Sequence, residues 1–186
     1  FHFYVFSFNK NTKKTLFLPA MKVVFPIIAT GEQITRMCEM ASLIWHEAYR
    51  DMLPRKQIQY MLALFLKPSI IEEQIAREGY TYCFINTGGV DAGFFGVCPR
   101  LEGNSLFLSK IYLLREYRGC GLFVQAMDEI VRLARLQGLP AVRLHVNKNN
   151  TRAIKAYIRS GFHITGSDVF DIGKGYVMDD HILEYV

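Results

Sequence analysis

The sequence predicts one α/β domain of the α+β kind, a mixed, largely antiparallel central sheet of six to seven strands flanked by about four to five helices. Three observations lead there. Apolar residues recur at helical spacing as far as about Arg77. The period then shortens to aromatic and β-branched runs between Tyr80 and Leu114. Helical segments afterwards alternate with strands to the C-terminus. At 186 residues and 51% hydrophobic composition the chain can bury a substantial core, which excludes a disordered protein.

Val23 to Ala29 reads as a short apolar strand. Thr30 and Gln33 follow at capping-box spacing, and Ile34, Met37, Ala41, Ile44 and Ala48 mark one face of a helix over about Gly31 to Arg50. Pro54 suits the first turn of a second helix carrying Ile58, Met61, Leu62 and Phe65. Pro68 ends it, and Ser69 with Glu72 caps a third short helix before Gly79. Tyr80 to Ile85, Val90 to Val97 and Leu106 to Leu114 are strands of an antiparallel meander, separated by turns at Asn86 to Gly89 and Glu102 to Asn104. Gly121 to Gln137 is helical, with Leu122, Ala126, Ile130 and Ala134 inward and Arg132 and Arg135 outward, and Gly138 and Pro140 stop it. Val142, Leu144 and Val146 alternate as a strand. A short helix from Asn150 to Ser160 and two strands, His163 to Phe170 and Tyr176 to Tyr185, complete the order.

The net charge is +5, but Lys10, Lys13 and Lys14 lie in an acid-free first twenty residues, so from Met21 onward 19 bases face 17 acids. That near balance argues against nucleic acid as a partner. Residues 1–20 open on Phe1 and lack both the leading basic region and the unbroken apolar core of a secretion signal. They are set apart as a leader or expression-derived extension of a single domain over residues 21–186. Apolar runs such as Met61 to Leu66 are far shorter than the ~20 residues of a membrane span, so no membrane association is expected. Cys38, Cys83, Cys98 and Cys120 show neither CxxC spacing nor clustered histidines. No metal site and no disulfide framework are expected, and a reducing cytoplasm fits.

Chemistry concentrates in Arg118-Gly119-Cys120-Gly121-Leu122, between a strand and a helix. Small residues there leave the first-turn N–H groups open to an anion, the helix dipole favours negative charge, and Arg118 can add a positive one. A dinucleotide fingerprint starting at Gly119 would need Gly or Ala where Val124 stands, and no GxxxxGK precedes a Ser or Thr, so both common nucleotide loops fail. A second segment runs from Asn150 through Ala153 to Tyr157 and closes on Gly161-Phe162. Asn150 suits an N-cap, and Ala153 and Tyr157 share a face, so a narrow group can pass over the alanine to the phenol.

In this order the two segments resemble the GNAT superfamily of N-acetyltransferases. The family's glycine motif is Arg or Gln, two residues, Gly, one residue, then Gly or Ala. Arg118, Gly121 and Phe123 hold those places, with Phe123 the departure. Ile111-Tyr112-Leu113 resembles the family's fourth strand, and the run Gly175 to Asp180 is similar to one in uncharacterised bacterial members.

The resemblance implies acetyl-CoA as cosubstrate, with no metal, in a cleft between splayed fourth and fifth strands. Main-chain groups of Ile111, Tyr112 and Leu113 would hold the pantetheine arm and polarise the acetyl carbonyl. Arg118, Gly119, Cys120, Gly121, Leu122 and Phe123 would cradle the pyrophosphate, and Asn150, Ala153 and Tyr157 would border the cofactor, with Tyr157 protonating the departing sulfur. The implied reaction is direct attack by a primary amine of a small molecule or peptide. The alternative is a catalytically inactive acyl-CoA-binding regulatory module, which Phe123 and the absence of an obvious base would favour. Candidate bases are Glu47, His46 and Tyr112, with His145 ranked below them. Trp45, Tyr49 and Tyr60 are either an acceptor pocket or core, and Asp179 and Asp180 can attract a cationic amine. Cys120 has no Cys-His-Asn pattern around it, which argues against an acyl-cysteine route. A homodimer is left open.

Overall fold

A computed structural model describes residues 22–186; the extension expected over residues 1–20 lies outside the described residues. The elements are β1 (Val23–Val24), α1 (Gly31–Ala48), α2 (Arg55–Phe65), α3 (Pro68–Arg77), β2 (Thr81–Thr87), β3 (Val90–Arg100), β4 (Ser105–Leu113), a 3-10 turn (Arg115–Tyr117), α4 (Leu122–Leu136), β5 (Ala141–Asn147), α5 (Thr151–Arg159), β6 (His163–Gly173) and β7 (Tyr176–Tyr185). The sheet has seven strands in the order β1-β2-β3-β4-β5-β7-β6. Among the described residues β4 and β5 pair in parallel and the other neighbouring strands are antiparallel. The mixed, largely antiparallel sheet is therefore the one the sequence predicts.

Three local expectations change. The first strand is cut to two residues because Pro26 has no N–H for a ladder. The chain still follows β2 through the Pro26 carbonyl, which accepts from the Phe84 N–H at 2.9 Å, and through the Ile28 N–H, which donates to the Tyr82 carbonyl at 2.8 Å. Pro68 opens α3 in its first turn rather than closing α2, so Lys67 is the N-cap and no Ser69–Glu72 box forms. Ala48 ends α1 exposed, while Met40 and Trp45 join its buried face. The Thr30–Gln33 capping box does form. The Gln33 N–H donates to Thr30 Oγ1 at 3.2 Å, and the Thr30 N–H donates to Gln33 Oε1 at 3.0 Å.

Each face of the sheet carries its own core. On one side Leu122, Ala126, Ile130 and Ala134 of α4 pack on Phe95, Leu106, Val142 and Leu144. On the other, Met37, Ala41 and Ile44 of α1, with Ile58 and Ile71, pack on Tyr82, Phe84 and Phe94. Among the described residues no helix is long and apolar enough to cross a membrane.

The detail that positions a site is where β4 and β5 part. They pair only from Ser105 opposite Ala141 to Leu108 opposite Leu144. On its other edge β4 carries a bulge: Val97 faces Leu108 but Gly96 faces Lys110, leaving Ser109 as the extra residue. A bulge bends its strand and increases the local twist, and here it falls at the first residue of β4 beyond the parallel ladder. From there β4 follows β3 to Leu113, while β5 follows β7 to Asn147. An open seam lies between them.

Candidate functional site

The seam is walled by main chain before it is walled by side chains. Ile111 and Leu113 send their side chains to the α4 side and Tyr112 to the α1 side, so the β5-facing peptide groups of Ile111 to Leu113 have no strand partner. Buried backbone groups need partners, which makes an open sheet edge inside a domain a receptor for an extended polar chain.

Beyond β4 the chain turns through Arg115–Tyr117 into the glycine loop. Gly119 and Gly121 have φ of +80° and +79°, left-handed values that strain any residue with a Cβ, and a Cβ at either would meet nothing within 4 Å. The open space is therefore on the outside of the loop. Gly121 is the N-cap of α4 and provides no side-chain acceptor, so first-turn N–H groups point outward, and Leu122 plugs the loop into the core.

The Arg118 side chain does something else. Its Nε–H donates to the Leu113 carbonyl at 2.9 Å and its Nη1–H to Glu47 Oε1 at 3.0 Å. This clamp ties the end of β4 to α1, so the anion-binding capacity of the loop rests on its N–H groups rather than on that guanidinium. Cys120 is exposed. The Phe123 ring packs on the core of the α4 face and lies edge-on to Tyr157, with centroids 5.6 Å apart.

Across the seam, Asn150 Oδ1 accepts from the Ala153 N–H at 3.2 Å and caps α5. Ala153 is half-buried and Tyr157, one turn on, is 8% exposed. Tyr157 sits between Phe123 and Phe162, with the Phe162 centroid 5.7 Å away, and burial raises its pKa above the ordinary phenol value. At neutral pH it is a proton donor.

The candidate bases fare unevenly. Glu47 is engaged by Arg118, with Arg115 at 3.9 Å. Burial raises the Tyr112 pKa well above its ordinary value, so its phenol stays protonated and cannot serve as a base near neutrality. His145 is stacked on Phe170 at 5.2 Å and edge-on to Phe107 at 5.4 Å, and burial lowers its pKa.

The aromatic trio divides. Trp45 is core, at 5% exposure, and Tyr49 packs half-buried against it at 5.0 Å. The Tyr60 hydroxyl donates to the Ile172 carbonyl, tying α2 to the β6–β7 hairpin.

The sequence did not single out one feature, a cavity, whereas Asp180 was already among its acceptor candidates. A cavity of about 330 Å³ beside the glycine loop is lined by Arg50, Arg115, Arg118 and Arg152 with Glu47 and Asp51. Its arginines come from three separate segments, so only folding brings them together. Asp180 is 6% exposed and faces Asn147 across the β5–β7 ladder. Among the described residues no group of three or more His, Cys, Asp or Glu is placed to hold a metal.

An open strand edge, an outward-facing helix N-terminus and a buried phenol can together hold a long ligand with an anionic end and a reactive end. The acetyltransferase (GNAT) family model matches residues 35–162, which includes all three features. Uncharacterized N-acetyltransferases of Mycobacterium bovis and Mycobacterium tuberculosis are 38% identical over 85 residues, 46% of this chain; the match spans about half, 54%, of each relative's length.

Among solved structures, the PaiA N-acetyltransferase of Thermoplasma acidophilum in complex with coenzyme A superposes with a TM-score of 0.72. It is 18% identical, and the match covers 89% of this chain and 99% of that one. A GCN5-related N-acetyltransferase of Rhodopseudomonas palustris gives a TM-score of 0.71 at 12% identity, covering 89% and 94%. These two likenesses are of fold, and the family match supplies the rest: with the parted strands, the glycine loop and the capped tyrosine helix all inside it, this chain belongs to the GNAT family of acetyltransferases.

Proposed function

We propose that the domain transfers the acetyl group of acetyl-CoA to a primary amine of a small molecule or peptide by direct attack. The observation that carries this reading is the open seam between β4 and β5, with the left-handed glycine loop and the α4 N-terminus at its end.

Main-chain groups of Ile111, Tyr112 and Leu113 hold the pantetheine arm, and an N–H on this edge polarises the acetyl carbonyl. N–H groups of the segment Arg118 to Phe123 take the pyrophosphate, where open space outside Gly119 and Gly121 admits it. Asn150 holds α5 in place, Ala153 leaves room beside the arm, and Tyr157 donates its proton to the departing sulfur. Bound acetyl-CoA supplies an activated acyl group and a thiolate leaving group. The free cysteines and a reducing cytoplasm are mutually consistent.

The test is a panel of primary amines incubated with acetyl-CoA and protein, following thiol release and the acetylated amine together. Amine-dependent release with matching product is expected. Binding of CoA without turnover across the panel would instead make the domain an acyl-CoA-binding regulatory module.

A further inference from the structure

Asp179 and Asp180 are neighbours in β7 with different circumstances. Asp179 is paired with Lys148 at 2.5 Å, and its side chain is half exposed. Asp180 is 6% exposed and, among the described residues, has no cation within ion-pair distance. A buried carboxylate without a cation is costly, so it is a place for a cation from outside.

Its position points to which cation. Asp180 faces Asn147, the last residue of β5, at the end of the β5–β7 ladder and beyond the point where β4 has parted. On the same side stand Tyr49 and Trp45 of α1 and Tyr112 of β4, whose rings pack together. Trp45 Nε1 is buried there without an acceptor. Tyr49 interacts electrostatically with both Asp180 and Tyr157. Aromatic faces beside a carboxylate suit an alkylammonium.

We infer that Asp180 binds the acceptor as a primary alkylammonium and takes its first proton. The inference rests on the acetyl-transfer reading. The N–H bond to be broken gives its proton to the Asp180 carboxylate, leaving a neutral amine whose lone pair forms the new C–N bond. The C–S bond breaks with its electron pair on sulfur. The second nitrogen proton leaves as the amide forms and replaces the one Tyr157 gave to the thiolate, and Asp180 returns its proton to water. Burial raises the Asp180 pKa, with Asp179 adding to the effect, while Asn147, His181 and Lys148 oppose it. Asp168 of β6 and the Tyr49 phenol also approach it.

The probes are n-butylamine and n-butanol, with CoA-loaded protein for binding and acetyl-CoA for turnover. Asp180→Asn is compared with wild type and with Glu73→Gln on α3, and retained stabilisation by CoA shows that each variant is folded. Wild type and Glu73→Gln are expected to bind butylammonium and not butanol. Asp180→Asn should lose that binding, lower kcat/KM for butylamine by on the order of a hundredfold, and lose the acidic limb of its pH profile. If folded Asp180→Asn binds and acetylates butylamine as wild type does, the inference falls and acetyl transfer stands. If wild type binds butylammonium through Asp180 yet transfers nothing, the pairing holds and the transfer reading falls. Failure of wild type to bind butylammonium overturns the inference. Should Asp180→Asn not fold, Asp180→Ser, which also lacks the carboxylate, replaces it, and an unchanged acidic limb with unchanged KM overturns the inference equally.

Discussion

At Tyr157 packing and the proposed chemistry meet in one side chain. Its ring is held by Phe123 and Phe162, so removing only the hydroxyl leaves the packing intact. Tyr157→Phe is expected to lower turnover by roughly tenfold to a hundredfold with little change in acetyl-CoA affinity, as steady-state kinetics beside direct binding would show. An unchanged turnover number removes Tyr157 from the mechanism. The Asn150, Ala153 and Tyr157 pattern was legible because one helical turn fixes their relation. The fate of the Arg118 guanidinium was not, since its partner Glu47 lies 71 residues away in sequence.

Lys110 has its effect on stability instead. Its Nζ donates to the Tyr82 hydroxyl at 3.1 Å and to the Ser109 hydroxyl at 3.0 Å, and burial lowers its pKa from 10.5 to about 8. Below pH 8 folded and unfolded chains both carry the proton, and the full cost of burying the charge, about 3 kcal/mol, is present. Between pH 8 and 10.5 the folded chain gives up the proton first, so stability attributable to this site rises with pH. The stability difference between Lys110→Met and wild type should therefore shift toward wild type by about 2 kcal/mol from pH 7 to pH 9.5, read by denaturant unfolding at each pH. A pH-independent difference would contradict this.

At the scale of elements, periodicity located nearly every helix and strand, and the Thr30 capping box set the start of α1. Prolines were harder to place. The same residue type breaks β1 at Pro26 and starts α3 at Pro68, and only the surrounding hydrogen bonds decide which. The bulge at Ser109 carried no sequence signal either, because it depends on the register of β3 against β4. The loop before α4 was legible through its glycines. Gly121→Ala should destabilise the free protein by about 1–2 kcal/mol through its left-handed φ, measured by thermal unfolding. It should also weaken CoA binding, because the added methyl projects into the open space outside the loop.

For the whole molecule, the two cores on opposite faces of one sheet matter most. The α4 and α5 side presents the glycine loop and Tyr157, the α1 side presents Tyr49 and Trp45, and the parted β4 and β5 let the two sides meet. Fold class and strand number were readable in the sequence because they follow from local pattern, and the loop and helix proposed to hold the cofactor were singled out by the family resemblance. Tyr49 and Asp180 were offered separately as acceptor candidates, but the pairing of Asp180 with Asn147 was not legible, since it follows from sheet order, with β7 inserted between β5 and β6.

The most direct test is thermal unfolding of wild type and Gly121→Val with acetyl-CoA, CoA, ATP and NAD at matched concentrations. A ligand at about a hundred times its dissociation constant stabilises by roughly 2.7 kcal/mol. Selective stabilisation of wild type by acetyl-CoA and CoA, lost in a folded Gly121→Val, is the predicted result. Equal shifts with all four ligands, or none with acetyl-CoA, would contradict the placement of CoA in the β4–β5 seam.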